Sequence, residues 1–108
     1  MRSVLEEVVT RLASALDVPV SASVPPSRPD KFVRVDPVGG SSTLDALHPE
    51  YAIQSWAKTD SEAEELARSI CDAMKSLGAT PLAVDPVRLG RDATHVWWQS
   101  TWAVHAIW

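Results

Sequence analysis

The stretch from Ala93 to Trp108 contains no Asp, Glu, Lys or Arg, yet it holds four of the chain's five tryptophans: Trp97, Trp98, Trp102 and Trp108. It is shorter than the ~20 apolar residues of a membrane span, and His, Gln, Ser and Thr interrupt it. Its period is that of a strand. Even positions Val96, Trp98, Trp102, Val104, Ala106 and Trp108 form one nearly apolar face. Odd positions place His95, Gln99, Thr101 and His105 on the other, with Trp97 and Ile107 among them. A strand from Thr94 to Trp108 with this pattern needs a core against its even face. It leaves Trp97 and Ile107 as large apolar groups on the polar side. Two explanations stand: these side chains mark a contact surface, where Trp is enriched, or a bulge returns Trp97 to the core.

The remaining segments supply partners for that strand. In residues 3 to 16, Leu5, Val8, Val9, Leu12 and Leu16 fall on one stripe of a 3.6-residue period, which predicts an amphipathic helix ended by Asp17 and Pro19. Val18 to Val24 alternates and begins and ends near prolines, as an edge strand does. After the stiff connector Pro25-Pro26-Ser27-Arg28-Pro29-Asp30, Lys31 to Val38 reads as a second strand, with Val33 and Val35 on one face and Phe32, Arg34 and Asp36 on the other. Gly39 to Pro49 shows no period and predicts a long loop, of the kind that is functional or mobile. Glu50 to Lys58 is a third strand, with Tyr51, Ile53 and Ala57 opposite Gln54 and Trp56. Thr59-Asp60-Ser61-Glu62 is a capping box. It opens a helix whose stripe is Ala63, Leu66, Ala67, Ile70, Met74 and Leu77, with Gly78 as its left-handed cap. Leu82 to Leu89 is one interrupted strand or two short ones, broken at Asp85-Pro86. The expected fold is therefore α+β in two layers: a mixed or mainly antiparallel sheet with two helices packed on one face. At 108 residues it makes a single domain, 1–108.

Composition narrows the function. A net charge of −4 argues against nucleic acid as the main partner, since phosphate binding requires a basic face. Arg28, Lys31, Arg34, Arg88 and Arg91 are interleaved with Asp30, Asp36, Asp85 and Asp92, so no such face is expected. Cys71 is the only cysteine, which excludes an intrachain disulfide and a CxxC pair and fits a reducing compartment. The opening Met1-Arg2-Ser3-Val4-Leu5-Glu6-Glu7 turns acidic where a signal peptide becomes apolar, and a soluble cytoplasmic protein is the default expectation.

Catalytic and metal chemistry find little footing. His95 and His105 stand ten residues apart on one predicted strand, about 33 Å at ~3.3 Å per residue, and His48 has no Cys or His at ligand spacing. No metal site and no cofactor are expected. Cys71 adjoins the buried stripe and reads as packing. Glu62, Glu64 and Glu65 are explained by the dipole at a helix start. Gly39-Gly40 lacks the residues of a phosphate loop and reads as a turn. With no nucleophile, base and orienter at readable spacing, the chain is not expected to be an enzyme.

The run Pro26-Ser27-Arg28-Pro29-Asp30-Lys31-Phe32-Val33-Arg34-Val35, then Gly39-Gly40, a strand ending Trp56-Ala57, and Asp60 with Ala63, Leu66 and Ala67 opening a helix, resembles the tail terminator (tail completion) proteins of long-tailed bacteriophages. Length and element order match that family across nearly the whole chain. Family members often close with charged residues on the last strand, where this chain has Trp97, Trp98 and Trp102. The resemblance implies a structural role: a ring of subunits, usually six, that caps the tail tube, stops its polymerisation and prepares joining to the head. It implies the chain itself, the tail tube protein and the head-tail connector protein as partners, with neither a membrane nor direct nucleic-acid readout. It also implies residence in the host cytoplasm during assembly and then in the virion tail. On this reading Leu44, Leu47 and His48 of the loop reach a neighbour or the tube, and the sheet side bearing Phe32, Arg34, Trp56 and Trp97 is a second contact surface. Another head-to-tail joining (neck) protein, and a ligand- or peptide-binding module using the tryptophans, are the alternatives.

Overall fold

Local signals build the two helices much as the periodicity predicts. The computed structural model describes residues 3–42 and 47–105, and among them the elements are α1 (Val4–Ala15), β1 (Val20–Ser21), β2 (Phe32–Ser42), β3 (Leu47–Ala57), α2 (Asp60–Ser76), β4 (Thr80–Pro81), β5 (Val87–Arg91) and β6 (Val96–Ala103). Ser3 caps α1 by accepting from the Glu6 amide at 3.1 Å. Thr59 caps α2: its Oγ1 accepts from the Glu62 amide at 3.2 Å and donates to Glu62 Oε1 at 3.0 Å, so the capping box closes on the hydroxyl itself. At the far end Gly78 takes φ +79°, and the Ala79 amide donates back to the Met74 carbonyl at 3.0 Å. That left-handed turn satisfies a carbonyl of the last helical turn at little steric cost to glycine.

The strands form one six-stranded sheet in the order β1-β2-β3-β6-β4, with β5 also pairing β6. All pairings are antiparallel except β1 with β2, which makes the fold mixed α+β with a mainly antiparallel sheet. The odd residues Val33, Val35, Tyr51 and Ile53 join Val8 and Leu12 of α1 and Leu66, Ile70 and Met74 of α2 in one core cluster, with Trp102 and Val104. A second cluster of Ala57, Ala63 and Val96 lies near the start of α2. No helix among the described residues is long and apolar enough to cross a membrane.

Several expectations change. The strand read over Val18 to Val24 is only Val20–Ser21, and Leu82 to Leu89 holds strand only from Val87 on, with β4 lying before it at Thr80–Pro81, because two-residue pairings leave no period in the sequence. Residues 39–42 and 47–49, read as part of a loop, are strand: β2 runs on to Ser42 and β3 starts at Leu47, with Gly39 opposite Glu50, Gly40 opposite Pro49 and Ser41 opposite His48, while residues 43–46 of the expected loop lie outside the described residues. The β3–β6 ladder stops at Glu50 and Ala103, so before Glu50 the only ladder partner of β3 among the described residues is β2. Gly39, Gly40, Ser41, Ser42 and Pro49 offer no hydrophobic alternation to read. The last strand, in turn, ends at Ala103. Val104 donates to the Pro49 carbonyl at 2.9 Å, but Pro49 has no N–H to return the bond. Finally, Trp98 is only half-buried, and its indole N–H donates to Asp60 Oδ1 at 3.0 Å at the start of α2. Leu44, Ala106, Ile107 and Trp108 lie outside the described residues.

Candidate functional site

The face of the sheet opposite the main core cluster carries most of the residues singled out from the sequence. Register brings Phe32 opposite Trp56 and Trp56 opposite Trp97, on three adjacent strands. The rings stack: Phe32 and Trp56 centroids are 5.2 Å apart at 20°, and Trp56 and Trp97 are 4.0 Å apart at 14°. Gly90 of β5 makes room for the last ring. A Cβ at Gly90 would come within 2.8 Å of Trp97 Cζ2, so only glycine lets the strand pass so close to the indole.

A cover comes from the connector between β1 and β2. Parallel neighbours cannot be joined by a hairpin, and the chain must cross over the sheet between them. Here residues 22–31 make that crossing on the aromatic side. The Arg28 guanidinium lies 5.2 Å from the centre of the Trp56 ring and pairs with Asp92. The Pro29 carbonyl lies 2.8 Å from His95 Nε2, and a carbonyl only accepts, so Nε2 carries the proton. His95 itself is buried, with its ring edge-on to Phe32 at 5.7 Å.

Asp92 ties cover and sheet together. Its Oδ1 accepts from the amides of Thr94 (2.9 Å) and His95 (2.8 Å), shaping the β5–β6 turn. The Arg28 hydrogen bond, reinforced by those two amides, holds its carboxyl well below the usual carboxylate range. At the start of α2, Asp60 is also lowered, by the Trp98 indole N–H and by Arg88. Burial pushes the Cys71 thiol and the Tyr51 hydroxyl up, which suits packing groups.

Below the aromatic row lies a polar one. Gln54 Oε1 accepts from the Trp56 indole at 3.1 Å, and Gln54 Nε2 donates to Gln99 Oε1 at 3.2 Å. Arg34 is opposite Gln54 and pairs with Asp36 at 3.5 Å, while its Nε is buried without a hydrogen-bond partner. Of the basic residues expected to be interleaved with acids, Arg28 and Arg34 pair with two of those acids, Asp92 and Asp36, while Lys31 pairs with Glu62 and Arg88 with Asp60 of α2; Asp30 is paired with Lys58 instead.

The structure thus gathers Phe32, Arg34, Trp56 and Trp97 but changes what they can do. Phe32 is 1% and Trp56 5% exposed within the single chain, so neither offers a ring to a partner; Trp97 is half-buried. The polar-side placement of Trp97 on β6 is explained by the stack itself. Leu47 opens β3 opposite Ser42, and His48 is drawn into a contact with His105.

The large hydrophobic side chains that are exposed among the described residues lie elsewhere. Val38 is 50% exposed on β2, Leu82 and Val84 are 47% and 97% exposed on the segment before β5, and Val87 and Leu89 are 55% and 49% exposed on β5 itself. Val38 and the β5 pair lie on opposite sides of the β3–β6 pair. Sequence patterning had placed Val87 and Leu89 on a strand without indicating that they face solvent, because alternation is the same for a covered and an uncovered face. A pocket of about 90 Å³ between Cys71, Lys75, Pro81, Ser100 and Trp102 is small beside the ~300 Å³ and more of ordinary ligand sites; larger clefts of about 330 Å³ beside Leu16, Lys31 and Leu66 and about 470 Å³ beside Leu5, Val9 and Val20 are lined by none of the tryptophans or candidate contact residues. In comparisons with known proteins, no family model and no curated sequence matches this chain.

Proposed function

We propose that the chain is a ring subunit of a long-tailed bacteriophage, a tail terminator that caps the tail tube, ends its polymerisation and presents a surface for joining to the head. It would act in the host cytoplasm during assembly and then in the virion tail. One observation carries this beyond the sequence resemblance: the exposed large hydrophobic groups of the strands sit on two dissimilar open edges. The outer side of β2 from Asp36 to Ser42 and the outer side of β5 have no strand partner among the described residues. Val38 marks the first edge; Val87 and Leu89 mark the second. A closed ring needs a heterologous contact, in which one patch of each subunit meets a different patch of the next. Edge-to-edge pairing of β2 with β5 of a neighbour supplies one and removes both exposed edges.

Light scattering after size exclusion, on the chain alone and with tail tube protein, tests the reading. A ring-sized assembly in either condition is expected; a strict monomer in both overturns it. Val87→Asp, at an exposed position, should abolish association while changing folding stability by less than ~0.5 kcal/mol. A neck protein would share the two edges, and it is distinguished by binding portal complexes instead of halting tube polymerisation. Among the described tryptophans Trp56 and Trp97 are stacked on one another, Trp102 is buried and the Trp98 indole is bonded to Asp60, so no observation favours the ligand-binding alternative.

A further inference from the structure

His48 and His105, 57 residues apart in the chain, meet at the end of the β3–β6 ladder. Pairing of Glu50 with Ala103 and the Val104–Pro49 bond bring them directly opposite one another. Their Nδ1 atoms are 3.3 Å apart, with the rings near perpendicular at 83°. Two nitrogens bound to one zinc ion at ~2.0–2.1 Å and a tetrahedral angle lie about 3.3–3.4 Å apart, so the spacing is that of a chelating pair. The other nitrogen of His105 is also accounted for: Nε2 lies 3.1 Å from Thr80 Oγ1 on β4, from the opposite side. With Nε2–H donating to that hydroxyl, the His105 Nδ1 lone pair accepts from His48 Nδ1–H; a cation takes the place of that proton once His48 shifts to its Nε2–H tautomer, and then meets both Nδ1 lone pairs. A metal-binding histidine is held in its tautomer by an outer hydrogen bond of this kind.

We propose that His48 and His105 form a binding site for a divalent transition-metal ion of the zinc class. Imidazole nitrogen suits zinc, copper and nickel and is a poor donor for magnesium or calcium. Among the described residues no group of three or more His, Cys, Asp or Glu is gathered at metal-binding spacing, so the two remaining positions of the tetrahedron fall to water or to an incoming carboxylate. The site lies at the exposed end of the sheet, away from the Phe32–Trp56–Trp97 stack. It stands independently of the ring reading.

Calorimetric titration of tag-free protein with zinc chloride, in a non-chelating buffer, tests the proposal. One saturable ion per chain is expected. His48→Ala and His105→Ala should each weaken binding by at least about tenfold with unchanged circular dichroism, and the double variant should lose less than the sum of the two single losses, because both remove the same chelate. Absence of saturable binding overturns the proposal. So does binding that survives either substitution, or losses that simply add in the double variant.

Discussion

The two faces of the sheet solve the same burial problem with different materials. On one, Val33, Val35, Tyr51 and Ile53 meet aliphatic residues from both helices. On the other, Phe32, Trp56 and Trp97 lie on one another beneath a ten-residue connector that contributes Arg28 and Pro29. A helix brings a row of side chains every 3.6 residues, and these interdigitate with β-branched neighbours. An extended crossing brings few side chains, so the sheet must close its own surface, and flat rings do so with the largest area per residue. The nature of the cover, more than the strand itself, selects aliphatic or aromatic residues.

Substitutions can break or sharpen this contrast. Trp102→Ala, in the helix-side cluster at 2% exposure, should cost roughly 3–5 kcal/mol in urea unfolding; a loss near zero would mean that this face is not the main core. Gly90→Ala should come next, at about 1–3 kcal/mol, because its Cβ collides with the Trp97 ring. The near-ultraviolet circular dichroism of the Trp56–Trp97 pair should change with it, and an unaltered spectrum would argue against the stack. Trp98→Ala should cost about 1–2 kcal/mol, well under Trp102→Ala, since Trp98 is half-buried. Equal losses for the two would put Trp98 in the core after all.

The smallest effect should come from the clamp that holds the connector. The Asp92 carboxyl is lowered in the folded chain by Arg28 and two amides, so its contribution to stability is present above the unfolded-state carboxylate value of about 3.9 and is lost as pH falls through the folded value. Melting temperatures of the wild type and Asp92→Asn should therefore differ most above about pH 4, and the gap should narrow steadily toward pH 2. A gap independent of pH would separate Asp92 from the connector.

Much of this was legible before any coordinates. Thr59 and Glu62 announce α2 and Gly78 ends it, because caps and terminal turns are bonds between residues a few positions apart. The alternation of Phe32, Arg34 and Asp36 with Val33 and Val35 assigns the two faces of β2, and the misfit of Trp97 on a polar side pointed to a real peculiarity. The pairing of residues 39–42 with 47–50 was not legible, since the glycines, serines and proline there carry no hydrophobic period. Neither was the burial of Phe32 and Trp56, which depends on a connector whose prolines say only that it is extended.

Taken alone, the sequence determined the helices, the strand faces and the surplus of tryptophan, all consequences of side-chain direction along a single segment. Tertiary structure decided what covers each face, which hydrophobic groups remain at open edges, and that His48 meets His105. Those outcomes depend on register between strands, and register is set by contacts between residues far apart in the chain, which no local period encodes.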